Sequence, residues 1–75
     1  MKLSPETNIP MFLNAVAQCE NEVIFTTGEK DILNLKSQLC RVVFAVISTR
    51  PEFIARGDVF CKEPKDLEII KRFLI

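Results

Sequence analysis

Apolar residues fall along this chain in two alternating periods. From Phe12 they recur at Val16 and Cys19, with Leu13 and Ala17 beside them, which is the spacing of an amphipathic helix of about three turns. Thr7 or Asn8 is placed to cap it, with Pro10 in its first turn. The period then shortens to two. "EVIFTT" sets Val23 and Phe25 on one face of a strand, and Ile32 to Lys36 sets Leu33 and Leu35 on one face of another. "GEKD" between them is short enough to make the pair an antiparallel hairpin, with Gly28 free to take a positive φ.

After Ser37 the helical period returns twice over. Leu39, Val42, Val43 and Val46 form one stripe, and Cys40, Phe44 and Ile47 form a second beside it. A helix apolar round so much of its circumference is either deeply buried or meets a partner, and a small domain has little depth to offer. "STRP" ends it, because Pro51 pushes Arg50 out of the helical region. "EFIARGDVFC" reads as a strand bulged or turned at Gly57, and the Arg-Gly-Asp tripeptide inside it needs no further explanation. Pro64 then opens a last helix, acidic at its start and basic at its end, with Leu67, Ile70 and Leu74 inward. Met1 to Ser4 adds a short edge strand, stopped by Pro5. The resulting order, β-α-β-β-α-β-α, predicts an α+β open-faced sandwich: a four-stranded antiparallel sheet with three helices on one face, in a single domain spanning residues 1–75.

Composition narrows the function classes. Ten basic and ten acidic residues cancel, which removes the electrostatic reason to expect a nucleic acid or an anionic membrane. The longest apolar run, Val42 to Ile47, is too short to span a bilayer, and the opening Met-Lys leads into Pro5, Glu6 and Asn8 rather than an apolar leader. A cytoplasmic protein is expected. Cys19, Cys40 and Cys61 make no C-x-x-C pair and the chain has no histidine, so neither a metal nor another cofactor is expected. No paired carboxylates, Ser/His/Asp set or phosphate-cradling glycine loop points to an enzyme.

The stretch Asn34-Leu35-Lys36-Ser37, with the element order around it from Leu13 to Ile75, resembles the histidine-containing phosphocarrier protein family, HPr, of the bacterial sugar phosphotransferase system. The resemblance implies the fold just described and two phosphorylation sites. One is a histidine at the entry to the first helix. Here that position falls on Glu6, or on Thr7 if the prolines are matched, and neither forms a transferable phosphoramidate, so relay through histidine is excluded. The other is a serine modified by a bifunctional kinase/phosphorylase, and it carries over onto Ser37. Where the family follows that serine with two large apolar residues and a glycine, this chain has Gln38, Leu39, Cys40 and Arg41.

Ser37 is also a good helix cap in its own right, and capping and phosphorylation are compatible: a phosphate at a helix N-terminus meets free N–H groups and the positive end of the dipole, with Lys36 near enough to help. These readings converge on a non-catalytic regulatory or interaction module, with a protein partner related to the phosphotransferase system or to HPr kinase. Leu39, Cys40, Val43 and Ile47 are its expected contact surface. Two alternatives stand beside it: a redox-responsive domain working through Cys40, in the first turn of a helix, and a structural module that homodimerises through the second helix.

Overall fold

The computed structural model describes residues 1–75. Helix α1 (Ile9–Gln18) starts where the Asn8 side chain accepts the Met11 N–H at 3.1 Å, with Pro10 in the first turn. Strands β1 (Val23–Thr26) and β2 (Ile32–Asn34) follow, then α2 (Gln38–Ile47), α3 (Pro51–Arg56), β3 (Asp58–Cys61) and α4 (Pro64–Ile70), which tightens into a 3-10 turn over Lys71–Phe73. No helix is long and apolar enough to cross a membrane.

The sheet is antiparallel in the order β2-β1-β3, with Phe25 opposite both Leu33 and Val59. Alternation does the sorting. Val23, Phe25 and Val59 turn inward and are buried, while Phe60 and Ile32 on the other face are exposed. The core forms where the inward face meets Phe12 and Val16 of α1, Phe44 of α2 and Ile70 of α4. Its centre is aromatic: the Phe44 ring lies 5.0 Å from that of Phe25 and 5.9 Å from that of Phe12, which in turn meets Phe73 edge-on at 5.5 Å.

The expected architecture needs correction. The sheet has three strands rather than four, and there are four α-helices rather than three. Residues 1–4 do not form a strand of the sheet because their partners are split. The Val59 N–H donates to the Met1 carbonyl at 2.6 Å, but Leu3 bridges Leu74, and the Ser4 N–H donates to Phe73 at 2.8 Å. The segment leaves the β3 edge for the C-terminal residues after one pair, and Pro5 begins a turn before a ladder can build.

The added helix is α3, in the half of "EFIARGDVFC" expected to be extended. Pro51 does end α2, but it also occupies the first position of a new helix, where its missing N–H costs nothing. Glu52 at the start and Arg56 at the end suit the dipole of that short helix. The strand begins only at Asp58. Between them Gly57 has ordinary extended backbone; a Cβ there would lie 2.1 Å from the Phe25 ring. Glycine is required at this junction by the ring packed on it, not by a bulge.

The hairpin also departs from expectation in detail. Lys30, not Gly28, takes the positive φ, at 69°. Gly28 matters for closeness instead, since a Cβ there would stand 2.8 Å from Cβ of Arg56.

Candidate functional site

The segment Asn34–Ser37 joins β2 to α2, and each of its residues has a structural task. The Asn34 side chain accepts the Lys36 N–H at 3.0 Å and its carbonyl accepts the Ser37 N–H at 2.9 Å, which turns the chain out of the strand. Leu35 enters the core fully buried, its N–H still paired with the Val23 carbonyl at 2.8 Å. Lys36 reaches back to α1, donating to the carbonyls of Val16 and Ala17 at 3.4 Å each and to that of Cys19. These carbonyls lie at the end of α1, where that of Val16 also accepts the Cys19 N–H at 3.0 Å, so the ammonium caps that helix and matches the negative end of its dipole. Ser37 is the N-cap of α2, its hydroxyl accepting the Cys40 N–H at 3.5 Å.

Ser37 is exposed, so its hydroxyl is open to a modifying enzyme. The nearby cations are engaged. Lys36 points toward α1, and Arg41 Nε donates to the Leu35 carbonyl at 3.0 Å. The contact expected between Lys36 and a phosphate on Ser37 is therefore not prepared, and such a phosphate would meet chiefly the free N–H groups of the first turn of α2.

Along α2 the two apolar stripes separate. Phe44 is the only residue of this helix that is buried, with Cys40 and Ile47 half-buried at its sides. The other stripe faces outward: Leu39 is 74% exposed, Val42 58%, Val43 40% and Val46 65%. The expected contact set is divided accordingly. Leu39 and Val43 lie on the outward face, joined by Val42 and Val46 of the same stripe. Cys40 sits at its margin, and Ile47 turns toward the β1–β2 turn and α3, lining a cleft there. The sequence pattern contained Val42 and Val46 already; what it lacked was which stripe Phe44 would carry inward.

Glu6 and Thr7 lie apart from Ser37. Thr7 donates its hydroxyl to the Phe73 carbonyl at 3.2 Å, and Glu6 is exposed in the preceding turn. The start of α1 adjoins the end of α2, around Ala45, Ser48 and Thr49, whereas Ser37 opens the other end of a ten-residue helix. These two positions and Ser37 therefore belong to opposite ends of α2.

The thiols divide by environment. Cys19 is buried at the end of α1 and burial pushes it above its ordinary value of 9.0; Cys61, half-buried on β3, is raised by burial as well, opposed in part by backbone hydrogen bonding at Glu63. Both favour the neutral, unreactive form. Close by, Asp66 is 2% exposed and accepts the N–H groups of Glu20 at 3.0 Å and Asn21 at 2.8 Å, tying the first turn of α4 to the chain leaving α1. The Glu20 hydrogen bond holds its carboxyl below the ordinary value of 3.8, with Asn21 adding to the effect. No group of three or more His, Cys, Asp or Glu side chains is arranged to hold a metal ion.

Comparison with protein-family models, with curated proteins and with solved structures finds no match to this chain.

Proposed function

We propose that this protein is a non-catalytic interaction module, acting in the cytoplasm, that docks a protein partner on the outward face of α2 and is controlled by phosphorylation at Ser37. The observation that carries this reading is the exposure of Leu39, Val42, Val43 and Val46 on a helix that Phe44 alone anchors in the core. Water is a poor neighbour for four large aliphatic side chains on one helical stripe, and surfaces of that kind serve association. Ser37 opens the same helix, so a phosphate there would add about two negative charges at the rim of the contact face. The resemblance of Asn34–Ser37 to the HPr segment makes a phosphotransferase-system protein or an HPr kinase the first partner to try.

The patch is on the order of a few hundred Å², below the ~800 Å² per partner of a stable association. A homodimer through α2 alone is therefore disfavoured, and a partner that wraps the helix in an apolar groove fits better.

The test joins binding and modification. With an HPr kinase and ATP, intact mass should rise by one phosphate in the native protein and not in Ser37→Ala. Leu39→Asp should weaken kinase binding at least tenfold with folding unchanged. A native chain that gains no phosphate, beside an authentic substrate that does, and that binds no better than Leu39→Asp, removes the proposal. Light scattering over a dilution series should show a monomer.

A further inference from the structure

Where the β1–β2 turn faces the end of α2 and α3, the surface folds into a cleft of about 210 Å³. Ile47 and Phe53, both half-buried, give it an apolar floor. Glu29 and Asp31 come from the turn and Arg56 from the last turn of α3. The walls are held close. Arg56 packs on the bare backbone of Gly28, where a Cβ would approach its own Cβ to 2.8 Å and its Cδ to 3.1 Å. The turn is pinned from within: Thr27 donates its N–H to the Asp31 carbonyl at 2.9 Å and accepts the Asp31 N–H on its hydroxyl at 3.0 Å.

Opposite charges share this cleft without closing on one another. The ion pairs of the molecule are Met1 with Asp58, Lys2 with Asp58, and Lys71 with Glu68, the last at 2.7 Å. Arg56, Glu29 and Asp31 take part in none of them, and the Arg56 guanidinium makes no hydrogen bond within the chain. Arg56 from α3 and the two carboxylates from the turn thus line one cleft unpaired, together with the apolar side chains of Ile47 and Phe53.

We infer that this cleft binds a small zwitterion with an apolar body, of the kind represented by a free aliphatic α-amino acid. Arg56 takes the carboxylate, for which its planar fork is the matching shape. Asp31 and Glu29 take the ammonium group, and the aliphatic side chain lies on Ile47 and Phe53. Each half of the charge set selects against a ligand lacking its counterpart, since that half would be left facing water or a like charge. The volume is below the ~300 Å³ at which sites for drug-sized molecules begin, so a nucleotide does not fit. With both walls open to solvent, screening makes the affinity weak, on the order of 1 mM. This site is separate from the outward face of α2 and does not depend on the function proposed for it.

The experiment is a titration of the ¹⁵N-labelled full chain, followed by amide shifts, with L-leucine, N-acetyl-leucine and leucine amide. Leucine should give saturable shifts centred on Gly28, Ile47, Phe53 and Arg56. Each blocked form, missing one of the two charges, should bind at least tenfold more weakly. Arg56→Gln should abolish the response and Asp31→Asn weaken it, with resonances of the aromatic core unmoved, while Leu39→Asp should bind leucine as the native chain does. Absence of a saturable shift up to the solubility limit of leucine, or equal binding of the blocked forms, overturns the inference.

Discussion

Helices α1 and α2 have the same length, ten residues, and both are mostly apolar, yet they are used differently. In α1 three residues, Phe12, Ala15 and Val16, go into the core; in α2 only Phe44 does. The contrast lies in where the bulky ring falls. Phe12 belongs to the single apolar stripe of α1, so that stripe has one destination. α2 carries two stripes, and the one containing Phe44 finds both Phe12 and Phe25 at ring-to-ring distance. Its rival, made of Leu39 and three valines, is left outside. An apolar period therefore identifies a helix without saying how much of it is core.

Truncating the two rings is the sharpest way to break the comparison. Phe12→Ala and Phe44→Ala should each cost ~3–5 kcal/mol in denaturant unfolding, because each leaves a hole among close-packed neighbours. Leu39→Ala and Val46→Ala should fall within ~0.5 kcal/mol of the native protein. If the outer pair costs as much as the rings, α2 is covered in solution and the free-face reading fails.

The helices also differ at the end where Asn34–Ser37 serves both. Lys36 closes α1 with donations to three carbonyls, while Ser37 opens α2 with one hydrogen bond of 3.5 Å. Lys36→Met should cost ~1–2 kcal/mol, and Ser37→Ala ~0.5–1 kcal/mol, at the low end for a cap because the bond is long. Thermal unfolding of the two variants under one buffer ranks them. The reverse order would mean that the serine, not the lysine, is the stronger tie.

The smallest effect concerns acid. Asp66 fixes α4 to the chain leaving α1, and nothing comparable steadies the outer side of α2. Its carboxyl is held below 3.8, so it contributes stability that is present above the unfolded value and lost as the pH falls through the folded one. Unfolding midpoints measured between pH 5 and pH 2 should drop more steeply in the native protein than in Asp66→Asn. Parallel curves would show that the two N–H contacts do not discriminate between the charged and neutral forms.

Much of this architecture was legible in the chain. Alternation at Val23, Phe25, Leu33 and Leu35 located the hairpin, the cap at Ser37 located the start of α2, and the choice of Thr7 or Asn8 located the start of α1 to within one residue. What misled were residues whose local meaning depends on distant partners. Pro51 reads equally as a stop and as a start, and Phe53 and Ile54 have strand-forming side chains, yet Ile54 is buried as part of a helix turn. Gly57 signalled a special backbone, but its reason is a ring 32 residues earlier. Met1 to Ser4 had the composition of an edge strand without a continuous partner to lie along. At the candidate contact face the pattern grouped Ile47 with Leu39 and Val43, yet Ile47 lines the cleft while the other two are exposed, because periodicity cannot show that a neighbouring turn will fold over one end of a helix.

The ring of Phe25 is wedged between the Gly57 backbone and the Phe44 ring, with no soft side chain on the Gly57 side. A half-rotation of that ring sweeps its edge through space the junction of α3 and β3 occupies, so it can turn only when that junction moves. Its flip rate is then a clock for the breathing of the core, slow while the packed state persists and quickening wherever α3 loosens from β3.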